Sequence, residues 1–405
     1  MKILLSAYAC EPNKGSEPGV GWNWAIGLSK LGHDVWVLTR SNNKLSIDHE
    51  VSVNRFPSNL HFIYYDLPAW VLRFKKAIIG VHIYYLIWQW GAYKVAKTHH
   101  EKENFDLAHH VTFVNVRQPS FMGNLGIPFI FGPVGGGEYA PWRLRFHYGI
   151  RGFLTDAIRD MMNFSVKFDP FMRRTFRQAN WIYVTSEMTK KIIPSCFWHK
   201  IKIHLAIGLD KGGIIAPNNS SQGLRVLYIG HFLYWKGMGL GIRAFARLAH
   251  SNPEARLTMV GEGIDGERWH RLTEKLDIAD KVSWISWVNR KHLTKIYQQH
   301  DVFLFPSLHD SGGMVVLEAL SHGLPVICLD LGGPGIIVND SCGCKIVALH
   351  KNEKQVVDHL SSELFKLAND TPQLSKLSSA SKKRALTFIW EKFIFNLYEI
   401  ITQSF

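Results

Sequence analysis

Residues Phe305–Leu329 read FPSLHDSGGMVVLEALSHGLPVICL. Val302, Leu304 and Phe305 end an apolar run that Pro306 stops, which predicts a strand. Asp310, Ser311, Gly312 and Gly313 follow as a loop with little side-chain bulk. A helix is predicted from Met314 to Leu320, closed by Gly323, and Pro325–Leu329 reads as the next buried strand. A glycine-rich turn entering a helix presents unpaired backbone N–H groups and the positive end of the helix dipole, which together favour a phosphate. Glu318 lies on the first turns of that helix. A carboxylate there suits ribose hydroxyls better than phosphate, which it would repel.

Asp310 and Glu318 stand eight residues apart, with Gly-Gly between them and LEALSHGLPVI following. This block resembles the acidic E-x7-E signature of retaining glycosyltransferases of family 4, with Asp in place of the first Glu. The resemblance implies an α/β GT-B fold: two doubly wound Rossmann-like domains facing a cleft, with a C-terminal helix crossing back to the first domain. It implies that Glu318 holds the donor ribose and that Asp310 lies against the transferred sugar. The N–H groups from Ser311, Gly312 and Gly313 through Met314, Val315 and Val316 would meet sugar and diphosphate. The competing reading of a D-x7-E pair alone is an ordinary α/β loop with two surface acids.

Composition sets the frame. At 405 residues the chain is long enough for two domains, and 46% hydrophobic with 20% charged residues is a globular balance. A formal charge of +14 with 14 Trp and 24 Phe admits nucleic acid, an anionic membrane face or anionic small molecules as partners. No RNA-binding aromatic signature, zinc spacing or heptad repeat is present, so nucleic acid is not expected. Cys10, Cys196, Cys328, Cys342 and Cys344 have neither metal-ligand spacing nor the look of a disulfide framework. The opening MKILLSAYA has too short an apolar run for a signal peptide and reads as the first strand. A cytoplasmic location follows as the expectation.

From the N-terminus, the strand Ile3–Ala9 leads into a loop over Cys10–Gly21, a helix over Trp22–Leu31 capped by Gly32, and a second strand over Val35–Thr39. The glycines do not match a dinucleotide G-x-G-x-x-G, and Arg40 stands where a ribose-binding acid would. Gly19 and Gly21 would permit close backbone approach to donor or acceptor, the family placing this loop at the cleft; a tight turn is the other reading. In FDLAHHVT, strand alternation sends His109 and His110 to opposite faces, so at most one faces the cleft, as a sugar-orienting or as a structural histidine. IPFIFGPVGGGE ends in Glu138, the nearest polar candidate for acceptor or sugar where many family members carry a histidine.

Low charge with many Gly, Pro, Asn and Ser places the interdomain linker in His204–Gln222. The resulting domains are 1–205 for the acceptor, 206–385 for the nucleotide-sugar donor, and 386–405 for a returning helix. In RVLYIGHFLYWKGMG, the residues Gly230, Lys236 and Gly237 match the family's strand-Gly, Lys-Gly pattern, while His231 takes the place of its Arg. A neutral imidazole donates a hydrogen bond but carries no full charge near pH 7. LTMVGEG puts Gly261 and Glu262 in a loop that the family sets near the nucleobase, and VSWISWV offers Trp284 and Trp287 for stacking or for core packing.

Two stretches mix bases with aromatics. Trp70–Lys97 brackets an apolar core with Lys75, Lys76, Lys94 and Lys97, and Trp142–Arg159 interleaves Arg143, Arg145, Arg151 and Arg159 with Trp142, Phe146, Tyr148 and Phe153. Both read as helices lying on an anionic membrane face or packed on the first domain; the first is short for a span. The overall expectation is a retaining, metal-independent glycosyltransferase without cofactor, its donor a nucleotide-diphosphate sugar and its acceptor a membrane-associated or lipid-linked glycan, as in bacterial exopolysaccharide, O-antigen or lipopolysaccharide synthesis. It would be peripheral on the inner face of the cytoplasmic membrane. The alternatives are a GT-B epimerase or phosphorylase and a non-catalytic glycan- or membrane-binding scaffold.

Overall fold

Among the described residues thirteen short strands, rich in Val, Ile, Leu and Phe and four of them buried along their whole length, assemble into two all-parallel sheets in a computed structural model. Continuous apolar runs are what a strand needs when helices cover both faces of a sheet. The structure describes residues 1–405 apart from 55, 73–76, 211–222, 287 and 404–405, and gives only the backbone for 72, 77–79, 147, 290, 291 and 400. The chain divides into two compact units, Met1–Gly137 with Met161–Gly208 and Trp390–Phe405, and Glu138–Asp160 with Leu209–Ile389.

The first unit holds β1 (Lys2–Ala7), β2 (Asp34–Arg40), β3 (Leu60–Tyr65), β4 (Leu107–Thr112), β5 (Phe129–Val134), β6 (Trp181–Val184) and β7 (Ile201–Ile203), ordered β3-β2-β1-β4-β5-β6-β7. Its last piece is the helix Trp390–Thr402, in which Ile394, Leu397, Tyr398 and Ile401 are buried. Ile394 reaches the helix Ser16–Lys30 at Gly27, where an added Cβ would come within 2.2 Å of its Cδ1.

The second unit holds β8 (Arg225–Ile229), β9 (Arg256–Val260), β10 (Val282–Ile285), β11 (Val302–Phe305), β12 (Val326–Leu329) and β13 (Gly343–Ile346), ordered β10-β9-β8-β11-β12-β13. Both orders run outward from two central strands in opposite directions, the doubly wound pattern. Within the second sheet β8 and β11 are those neighbours, so the loops leaving their carboxyl ends define its switch point.

Several boundaries differ from the sequence reading. The helix expected at Trp22 begins at Ser16, so Gly19 and Gly21 lie inside it, not in a loop. An added Cβ there would come 2.2 Å from the Lys14 carbonyl oxygen and 2.1 Å from that of Ala9, so both glycines let the preceding chain fold back tightly on the helix. Residues 138–160, expected in the first domain, cluster with the second unit. Arg145, buried against Asp160 at 2.7 Å and bonded to the Ala140 carbonyl at 2.8 Å, ties that segment together. Of the expected linker, 211–222 lies outside the described residues. Among the described residues no helix is long and apolar enough to cross a membrane.

Candidate active site

The loop after β8 turns through Gly230 into a short 3-10 turn, Tyr234–Lys236, and then the helix Met238–Ser251. Gly237 joins the two at φ 69°, and an added Cβ there would sit 2.0 Å from the Pro306 carbonyl oxygen. Only glycine accepts both the left-handed backbone and that approach. The loop after β11 is thereby clamped to the loop after β8. Leu308 N–H donates to the Trp235 carbonyl at 2.8 Å, completing the clamp.

This clamp brings Lys236 to Asp310. The Lys236 Nζ lies 2.5 Å from Asp310 Oδ2, with both side chains about one-sixth exposed, and 5.2 Å from the centre of the Phe305 ring. Asp310 Oδ1 accepts the amides of Gly312 at 3.2 Å and Gly313 at 3.1 Å. Gly313, at φ 83°, then opens the helix Met314–Ser321. The amides of Met314 and Val315 have no partner among the described residues, as the first turn of a helix requires unless a ligand or cap supplies one. The same loop is braced from behind: Gly333 N–H donates to the Asp310 carbonyl at 2.8 Å, and Cβ atoms at Gly332 and Gly333 would strike the carbonyls of Asp310 and Gly312.

Glu318 follows one and a half turns into that helix and accepts from the buried Tyr297 hydroxyl at 3.2 Å. Val316 is fully buried, so only its backbone is available to a ligand. Gly230 and Gly261 pack together, an added Cβ on Gly261 falling 2.1 Å from the Gly230 carbonyl oxygen, and Phe232 N–H donates to the Glu262 carbonyl at 2.8 Å. The side chains of His231 and Glu262 are exposed. Trp284 stacks on His270 with centroids 3.7 Å apart, and Trp287 lies outside the described residues.

Four expected residues, His109, His110, Gly19 and Gly21, stand in the first unit, and Glu138 stands in the second. His109 and His110 are fully buried in the first unit. His109 Nε2 donates to the Gly132 carbonyl at 2.6 Å, which leaves Nδ1 to accept the Tyr398 hydroxyl at 2.7 Å. Burial holds His109 down to about 3 and His110 to about 4. Neither reaches solvent, so the sugar-orienting role is withdrawn for both; an alternating strand covered on both faces buries both neighbours. Glu138 belongs to the second unit, is 1% exposed, and has its Cγ 3.2 Å from where a Gly332 Cβ would be, beside the Asp310 loop. Gly19 and Gly21 belong to the first unit and serve the local packing described above.

A supporting group was not legible in the sequence. Trp235 and His309, each preceding a paired residue, stack 5.5 Å apart at 13°. His309 Nε2 lies 3.4 Å from Oδ1 of the buried Asp156, which also accepts the Tyr234 hydroxyl at 3.4 Å. Burial lowers the His309 pKa, with Asp156 opposing, and pushes Tyr234 up to about 12. Adjacency to Lys236 and Asp310 could have drawn attention to Trp235 and His309; nothing local marks Asp156.

Among the described residues no three His, Cys, Asp or Glu side chains converge on a metal-sized site. Chemically the arrangement offers one ammonium, helix-mouth amides and two carboxylates of different reach.

Residues 214–384 match the family model described as glycosyl transferases group 1. The D-inositol 3-phosphate glycosyltransferase of Corynebacterium aurimucosum is 29% identical over 171 residues, 41% of this chain and 39% of that protein, so the match spans about two fifths of that relative. Among solved structures, the apo lipopolysaccharide outer core galactosyltransferase WaaB superposes with a TM-score of 0.64 over 100% of both chains at 14% identity. Anabaena Alr3699/HepE in complex with UDP does so with 0.62 over 100% of both at 14% identity. These two likenesses carry the fold: the chain has the two-sheet GT-B architecture, and its residues 214–384 are similar to the glycosyl transferases group 1.

Proposed function

We propose that the protein is a retaining, metal-independent glycosyltransferase that moves a sugar from a nucleotide-diphosphate sugar to a membrane-associated or lipid-linked glycan. The observation that carries this is the ammonium–carboxylate–amide cluster at the switch point of the second sheet. There Lys236 meets Asp310 beside the open amides of Met314 and Val315. Switch points are where doubly wound sheets take their ligands. The structural neighbour Anabaena Alr3699/HepE, titled as a complex with UDP, supports a uridine nucleotide as the first donor to try.

The bond from the anomeric carbon to the diphosphate oxygen breaks, and one to the acceptor oxygen forms. The departing oxygen gains negative charge, which Lys236 and the helix-mouth amides stabilise more than they do the bound ground state. The acceptor hydroxyl proton passes to a leaving phosphate oxygen on the same face, which keeps the anomeric configuration and needs no protein nucleophile. In the free protein Lys236 and the Gly312 and Gly313 amides are held by Asp310. Donor binding exchanges those partners for the diphosphate and frees the Asp310 carboxylate for sugar hydroxyls. Glu318, held by Tyr297, is the ribose ligand.

The exposed, basic, aromatic surfaces of each unit support a peripheral place on an anionic membrane, and the likeness to WaaB supports a bacterial surface polysaccharide as product. A thermal-shift screen against UDP-, GDP- and ADP-sugars tests the donor: one base raises Tm by mass action. No shift with any nucleotide, together with no donor hydrolysis, rejects the assignment.

A further inference from the structure

In the first unit the helix Ala77–Glu103 turns Tyr84, Tyr85, Trp88 and Ala92 into the core but leaves Ile83, Ile87 and Trp90 about half exposed. Beside it the helix Pro170–Gln178 leaves Phe171 51% exposed. Between them runs a groove of about 470 Å³, walled by Ile87, Trp90, Phe121 and Phe171 and closed on its polar side by Asn124 and Arg174. Apolar surface of this extent on a water-soluble face marks a binding surface.

Its chemistry selects an occupant. The walls offer almost nothing to hydrogen-bond, so the bulk of the ligand is hydrocarbon. One end is cationic: Arg174 donates through Nε to Asn124 at 3.1 Å, and its terminal nitrogens have no partner among the described residues. Residues 161–178 carry Lys167, Arg173, Arg174 and Arg177 against a single acid, Asp169, whose carboxylate already caps the helix by accepting from Phe171 and Met172. Met161, Met162, Phe164 and Phe168, shortly before that helix in the chain, are exposed as well. The Lys94 Nζ lies 5.8 Å from the centre of the Trp90 ring and the Lys167 Nζ 5.7 Å from that of Phe164, so each ammonium sits over an aromatic face. This pattern of aromatics and bases fits a lipid interface.

We propose that the groove seats one hydrocarbon chain of an anionic membrane phospholipid, with the headgroup phosphate against Arg174. The proposal rests on the membrane-peripheral part of the reading above and is independent of the donor site. It is tested with vesicles of phosphatidylcholine and phosphatidylglycerol whose acyl chains are brominated, since bromine quenches tryptophan on contact. The wild-type protein floats with the vesicles and is quenched. Trp90→Phe floats equally but loses a resolvable share of the quench, and Ile87→Glu partitions roughly tenfold more weakly. Thermal stabilisation by UDP is measured on all three. Its absence throughout, with lipid binding intact, removes uridine as the donor base and leaves the groove standing. A wild-type protein that ignores these vesicles overturns the proposal, as does quenching undiminished in Trp90→Phe, or photo-crosslinking from position 90 to an acidic protein in place of lipid.

Discussion

The Lys236–Asp310 pair carries two duties that substitutions separate. Lys236→Ala removes the charge that meets the leaving diphosphate, and turnover should fall about a hundredfold or more, the usual loss when one transition-state donor is deleted. Asp156 touches neither partner but fixes His309, and through it the stacked Trp235, behind them. Asp156→Asn should lower kcat about tenfold while leaving donor KM and the nucleotide-induced Tm shift unchanged. Steady-state kinetics with thermal shift check both, and an equal rise in KM for Asp156→Asn would show that it acts on binding instead. Asp310 stands where the resembled signature carries a glutamate, and its shorter length has a local use. The shorter side chain folds back on Gly312 and Gly313 as an Asx-type turn, leaving its other oxygen for Lys236.

At the scale of elements, the strand–loop–helix of Val302–Ser321 was legible because each local signal agrees: an apolar run, a proline stop, two glycines, then a helical repeat. The Tyr234–Lys236 turn was legible only as a lysine before a glycine; its clamp under Pro306 is a tertiary fact with no local mark. Gly237→Ala is therefore a sharp test. Strain in the left-handed region alone costs about 1–2 kcal/mol, and the approach to the Pro306 carbonyl adds to it. The variant should melt lower in calorimetry and lose activity with Lys236 still present. The start of the first helix was misplaced because Glu17 and Pro18 look like loop residues. In the structure Glu17 is half-buried and accepts the Val114 amide at 2.6 Å, a partner almost a hundred residues away. The two histidines were misjudged for a related reason, since their burial on β4 depends on coverage from both faces of the sheet, including the distant Tyr398.

For the molecule as a whole, pH acts through buried imidazoles. His109, His110 and His204 are held to about 3, 4 and 4 by burial, from an ordinary 6.5. A depressed histidine lets the unfolded chain bind protons that the folded one refuses. Stability is therefore full above about pH 6.5 and declines as pH falls toward 4, by up to roughly 1.4 kcal/mol per pH unit for each fully responding group. Urea unfolding at pH 7, 6 and 5 should show a falling midpoint, and replacing His204 with Gln should flatten the slope. A midpoint that rises on acidification would contradict the burial.

The first unit is stitched from three stretches of chain, the last of them Trp390–Phe405. On the ribosome its sheet can form early, but Gly27, His109 and His204 wait for Ile394, Tyr398 and Phe393, which emerge 367, 289 and 189 residues later. During that interval the nascent lobe exposes an unsealed apolar flank, and chaperone engagement should peak there. Arrested nascent chains lacking residues 390–405 would be protease-sensitive in the first lobe, and the completed chain resistant.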